Sequence, residues 1–148
     1  LRGYTVLRVL KGFRESSRNV FRYFASGWNR DGLVLRVAGE LLAVPPDQKR
    51  LILLLTDAGP NDSRRIPPGG KYPFGHDYAD SPAVEDAARE VRALRLRGLR
   101  VGAVFMGPGL NAPAAETIYG TCLARIRSMD QLAAAAGRLI QAEIQELE

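Results

Sequence analysis

The chain contains one cysteine and one histidine. The lone Cys122 excludes an internal disulfide and a multi-cysteine zinc site, and it fits a reducing, cytoplasmic setting. It lies in the apolar stretch from Tyr119 to Ile126, where it reads as a small core residue. A catalytic thiol would need a partner base, and His76 falls in a distant loop of the sequence. No run approaches the roughly 18 apolar residues of a membrane span. Phosphate-loop chemistry is also missing: Gly69-Gly70-Lys71-Tyr72 lacks both the spacing and the hydroxyl of G-x-x-x-x-G-K-[ST]. Gly107-Pro108-Gly109 is no dinucleotide fingerprint, and no G-x-S-x-G elbow occurs.

What remains is ordinary for one globular domain with one core. The 148 residues are 46% apolar and 25% charged, so the whole chain is read as a single unit. It begins at Leu1 rather than Met and is expected to be the C-terminal portion of a longer protein. The net charge of +5 is uneven, with the excess of arginine and lysine in the first third. A basic third can mark a nucleic-acid or acidic partner. Here the arginines are dispersed, with no lysine run and no RNA-binding aromatic motif, so solvated strand and helix faces are the expected reading.

The strongest local signal is Leu51-Ile52-Leu53-Leu54-Leu55-Thr56-Asp57-Ala58-Gly59-Pro60-Asn61-Asp62. A continuous apolar run that stops at turn residues predicts a parallel strand buried on both faces, from Arg50 to Thr56. Asp57 would then stand at the carboxyl end of the strand, the edge where open α/β sheets bind ligands.

The rest of the chain alternates around this strand. Tyr4 to Phe13 reads as a strand. Ser16 to Trp28 fits neither period but holds much of the aromatic content, and is expected to pack on the body. Leu33, Val34, Val37, Ala38, Leu41 and Leu42 predict one helix face, with Asp31 as N-cap and Pro45-Pro46 as the stop. Residues 58–80 read as a long Gly/Pro/Asp/Asn loop. Ser81-Pro82 opens a second helix with Val84, Ala87, Ala88, Val91 and Leu94 inward, closed by Gly98. Leu99 to Phe105 is a second buried strand. A short helix from Ala114 to Tyr119 and a short strand from Cys122 to Ile126 follow. Ser128 and Gln131 form a capping box for a last helix, with Leu132, Ala136, Leu139, Ile140, Ile144 and Leu147 inward. Alternating strands and helices predict a parallel, three-layer α/β sheet.

Asp31 begins a helix and Asp57 ends a strand, so both carboxylates fall on one sheet edge. Two hard oxygen donors with hydroxyls and water suit Mg²⁺ or Mn²⁺. The plainer reading is that each carboxylate caps its own turn. His76 with Asp77 and Asp80 is a weaker metal candidate, better read as a solvated loop.

Thr56-Asp57-Ala58-Gly59-Pro60-Asn61-Asp62 resembles the [ST]-D-G-x-P-x-D loop of von Willebrand factor A domains, nearest to the cobaltochelatase CobT-like and nitric-oxide-reductase activation protein group. Asn29-Arg30-Asp31-Gly32 resembles the D-G turn before their second core helix. Arg95-x-Arg97-Gly98-Leu99-Arg100-Val101-Gly102-Ala103-Val104-Phe105 is similar to their next helix–strand unit. Ile118-Tyr119-Gly120, Ala124-Arg125-Ile126-Arg127 and the closing helix extend the resemblance over nearly all of the chain.

The resemblance implies a three-layer Rossmann-like fold with a mostly parallel sheet and a metal-ion-dependent adhesion site at its carboxyl edge. Asp57 matches the third part of that site. Asp31 stands where the second part would lie, with a carboxylate in place of the family's threonine. The first part, D-x-S-x-S after the central strand, occurs nowhere in the sequence. Either its strand lies upstream of Leu1, the expected case, or the site is degenerate. A sheet without its central strand would expose unpaired edges, so the fragment is expected to self-associate, to pair with another chain, or to close its sheet unusually.

By the same resemblance the chain would be a non-enzymatic interaction module that takes Mg²⁺ or Mn²⁺ on Asp57 and Asp31. Its partner would be a MoxR-type AAA+ ATPase, engaged in metal insertion or metalloenzyme activation. Pro60, Asn61, Asp62, Gly107 and Asn111 would face that partner. Two alternatives stay open: a metal-dependent hydrolase or phosphotransferase using Asp57, and a basic nucleic-acid-binding module.

Overall fold

A computed structural model describes residues 28–42 and 49–145, together with residues 11, 12, 15, 16 and 18. The strand expected from Tyr4 to Phe13, most of the Ser16–Trp28 segment and the Pro45-Pro46 stop lie outside the described residues. Trp28 itself is 61% exposed rather than packed on the body.

The elements run α1 (Asp31–Leu41), β1 (Leu51–Thr56), β2 (Asp62–Ile66), β3 (His76–Tyr78), α2 (Asp80–Leu96), β4 (Arg100–Phe105), α3 (Ala112–Tyr119), β5 (Leu123–Arg125) and α4 (Leu132–Gln145). β1, β4 and β5 form one parallel sheet in the order β1-β4-β5, with Leu51 opposite Arg100 and Phe105 opposite Arg125. β2 and β3 form a separate antiparallel hairpin whose register slips between Asp62 and Arg65.

Helices cover both faces of the parallel sheet. Side chains alternate along a strand, so Val101 and Ala103 of β4 join Leu35 of α1, Ala87, Ala88, Val91 and Leu94 of α2, and Ile118 and Tyr119 of α3. Val104 points the other way and packs with Ile126 and with Ala135 of α4. β1 divides likewise, with Ile52 and Leu54 toward the first cluster and Leu53 toward the second. Each fully buried Leu or Val contributes about 1.5–3 kcal/mol, so β4 anchors the molecule. Arg95 adds a polar staple, donating from Nη2 to the carbonyls of Val101 and Tyr119 at 2.8 Å each.

Several sequence expectations need correction. β1 is half-buried rather than buried on both faces, and Leu55 is 52% exposed. The reason is position: among the described residues β1 is the outer strand of its sheet. The loop expected at 58–80 contains the β2–β3 hairpin. In α1 the deepest residues are Gly32, Leu35 and Gly39, whereas Leu41 is exposed. Two glycines let α1 approach α2 closely, and a methyl group on Gly39 would overlap Leu94.

Helix ends also differ from expectation. Asp31 is the first helical residue of α1, after Arg30 as N-cap. α2 starts at Asp80 with Ala79 as N-cap, so Ser81 does not cap it. Gly98 does close α2, at φ +78°, where glycine meets no steric penalty. The Ser128 hydroxyl makes no cap. The box does not form: Gln131 Oε1 accepts from the Arg127 N–H at 2.8 Å, one residue before Ser128. Ile140 is exposed rather than inward. The side chain of Ile144 and all of Leu147 lie outside the described residues. Among the described residues no helix is long and apolar enough to cross a membrane.

Candidate metal centre at the carboxyl edge

Two loops meet where β1 ends. The first runs from Thr56 to Asp62. The Thr56 hydroxyl accepts the Ala58 N–H at 2.9 Å, and Asp57 Oδ1 accepts the Gly59 N–H at 3.1 Å. These side-chain bonds replace a ladder that ends at Thr56. Ala58 is buried at φ +53°, a left-handed conformation unusual for a residue with a Cβ.

The second loop leads into α1. Asn29 and Asn61 exchange backbone hydrogen bonds of 2.9 and 3.1 Å, a two-residue bridge joining the loops. The Asn29 side chain continues it, accepting from the Asn61 N–H at 3.3 Å and donating to Asp31 Oδ1 at 2.7 Å. Asp31 and Asp57 are thereby brought to one edge. Burial raises the Asp31 pKa above its ordinary value, the Asn29 bond opposes the rise, and the Asp57 charge adds to it.

Tyr119, the last residue of α3, is fully buried, with its hydroxyl near that of Thr56. Burial raises its pKa, the Asp31 charge adds to the rise, and the neighbouring Thr56 hydroxyl opposes it. Among the described residues no three His, Cys, Asp or Glu side chains gather closely enough to hold an ion by themselves. Asp31 and Asp57 would therefore leave most of an octahedral Mg²⁺ shell to water, the usual habit of that ion.

The residues expected to face a partner divide in two. Asn61 is exposed, and Gly107 and Asn111 are half-buried at the same edge. Asn111 donates from Nδ2 to the Asp57 carbonyl at 2.9 Å, which ties the loop after β4 to the loop after β1. Pro60 and Asp62 are buried and shape the loop from within. Asp62 accepts from Arg30 Nε at 2.6 Å, and the Arg30 guanidinium lies 5.1 Å over the Tyr78 ring. Tyr78 in turn accepts the Gly32 N–H at 3.2 Å and donates to Asp86 at 2.8 Å. This network docks the hairpin on both helices. His76 is the first residue of β3, in the hairpin rather than at the edge. Its ring lies against Tyr72 with centroids 4.6 Å apart.

Sequence reading passed over Asn29, Tyr119 and the Arg30–Asp62 pair. Asn29 stood in the quoted turn, but its bridging role depends on a residue far along the chain. Tyr119 looked like any aromatic at a helix end.

The described residues define a mixed α/β protein with four helices and a small open parallel sheet, consistent with the Rossmann-like α/β class. Compared with family models, curated proteins and solved structures, the chain matches none.

Proposed function

We propose that this chain is a non-enzymatic interaction module of the von Willebrand factor A type that holds Mg²⁺ or Mn²⁺ at Asp57 and Asp31. The observation that carries the reading is the Asn29–Asn61 bridge, which brings the Asp31 loop and the Asp57 loop to one edge. A second observation supports it. Ala58 stands at the glycine of the [ST]-D-G-x-P-x-D pattern, and its φ of +53° is the conformation a glycine takes freely there. A cation so held leaves coordination positions open for a carboxylate from a partner. The partner proposed from the sequence resemblance is a MoxR-type AAA+ ATPase, acting with this module in metal insertion or metalloenzyme activation.

The test is a calorimetric titration of Mg²⁺ and of Mn²⁺ into the chain and into Asp57→Ala. Saturable one-site binding that disappears in the variant is the expected result. Equal heats for both proteins, or none for either, would overturn the metal reading.

A further inference from the structure

We infer that the cleft at the carboxyl ends of β4 and β5 binds an acidic peptide segment of a protein partner, one that carries a large apolar side chain among its carboxylates. The inference rests on reading this edge as an interaction surface, and it names the chemistry of the partner.

The cleft has a volume of about 420 Å³ and is lined by Met106, Gly107, Pro108, Arg125, Ile126 and Arg127. Among the described residues its wall contains two guanidiniums and no carboxylate. The residues alternate at the end of β5: Ile126 is buried, with exposed arginines on either side of it. Among the described residues neither arginine is in an ion pair. The contrast is with the concavity between α1, α2 and the hairpin, which Arg30, Arg36 and Arg89 line. Each of those three already has a carboxylate, in Asp62, Glu90 and Asp86 respectively. Among the described residues the charge at the cleft is thus the uncompensated one.

Arg125 is also held in place. Its guanidinium lies 5.5 Å over the Phe105 ring and packs beside Gly109. A pre-positioned planar fork loses less entropy when it takes a carboxylate.

The rim argues against nucleic acid and for a peptide. Single strands are gripped by cations together with aromatic platforms, and among the described residues no aromatic side chain lines this cleft. Its apolar lining is Met106, Pro108 and Ile126, with Met106 exposed. Methionine adapts its shape to varied apolar side chains. Gly107 forms one wall of the cleft and also abuts Asp57, so a segment seated here would run beside the candidate metal centre.

The test is fluorescence anisotropy of the chain with a fluorescein-labelled heptapeptide, Glu-Glu-Leu-Glu-Glu-Leu-Glu, in EDTA. Saturable binding is expected, weakened roughly tenfold or more by Arg125→Glu or Arg127→Glu, as for a charge reversed in a contact. Arg125→Gln with Arg127→Gln should weaken it without reversing charge, and circular dichroism confirms that each variant folds. Arg92→Glu, an exposed position on α2, should leave binding unchanged. Absence of binding, or equal weakening by Arg92→Glu, would overturn the inference. So would tighter binding of oligothymidylate than of the peptide with the same dependence on Arg125 and Arg127. Asp57→Ala separates the two proposals: the metal reading fails alone if Mg²⁺ never binds while the peptide still does, and the cleft fails alone in the opposite case.

Discussion

Gly107 stands directly against the backbone of Asp57. A Cβ placed on Gly107 would come 2.6 Å from the Asp57 carbonyl oxygen and 3.0 Å from its Cα. The same methyl would reach 2.6 Å from Phe105 Cε2, so backbone and ring crowd it together. Gly107→Ala should therefore cost about 1–3 kcal/mol, as overpacking does, and should displace Asp57. Urea unfolding measures the loss. Gly109→Ala is the control, since its nearest neighbour is Arg125 Nη2 at 3.6 Å, an ordinary contact. A Gly107→Ala protein as stable as the Gly109→Ala one would contradict this packing.

The same substitution should have opposite signs in two helices. Gly39 is buried in α1, and its Cβ would overlap Leu94, itself buried in the main core. Alanine gains about 1 kcal/mol of helix propensity there but forces a core side chain to move, at about 1–3 kcal/mol. Gly39→Ala should be net destabilising. Gly137 lies exposed in α4 with open space around its Cβ position. Gly137→Ala should stabilise by about 0.5–1 kcal/mol. Thermal unfolding of both variants side by side checks the pair of signs.

Glu85 provides a pH dependence. It accepts from Lys71 at 2.5 Å and from the Tyr72 hydroxyl at 2.9 Å, clasping the hairpin turn to α2. The Lys71 bond holds its carboxyl below the usual value of 4.5, and the Tyr72 bond adds to this. A carboxyl lowered in the folded state stabilises fully above its unfolded value and loses that contribution as pH falls through the folded value. The difference in melting temperature between the protein and Glu85→Gln should thus be present at neutral pH and fade in acid below 4.5. The group is exposed, so the difference should be small and should shrink with added salt. A difference that persists unchanged into strong acid would mean that the clasp does not depend on charge.

β4 was legible because its apolar run is framed by glycines that do mark its ends, Gly98 at the close of α2 and Gly107 just beyond the strand. β1 was legible as a strand but not in its burial. Five consecutive Leu and Ile residues imply two apolar faces, yet only neighbouring strands and helices decide whether both are covered. The hairpin was missed for a different reason. Asp62–Ile66 and His76–Tyr78 show no alternation, and their register slip breaks what period there is. Their order comes from Arg30 on Asp62 and from Tyr78 on Asp86, contacts with other parts of the chain. The face of α1 was misread because hydrophobic patterning gives no weight to glycine. The edge carrying Asp57 was visible because a strand followed by turn residues is local information. The burial of Tyr119 near Thr56 and, among the described residues, the absence of ion pairs at Arg125 and Arg127 required the tertiary structure.

The parallel pairing of Leu51 with Arg100 has a consequence during synthesis. At about 5–20 residues per second, β4 leaves the ribosome roughly 2–10 s after β1. For that interval the Leu51–Leu55 run has no β4 to join, an apolar strand waiting in the open. The β2–β3 hairpin emerges within it and can close locally in microseconds. The vulnerable moment for this chain therefore comes before β4 exists, and a chaperone acting on the nascent protein would be expected to find its binding site at Leu51–Leu55.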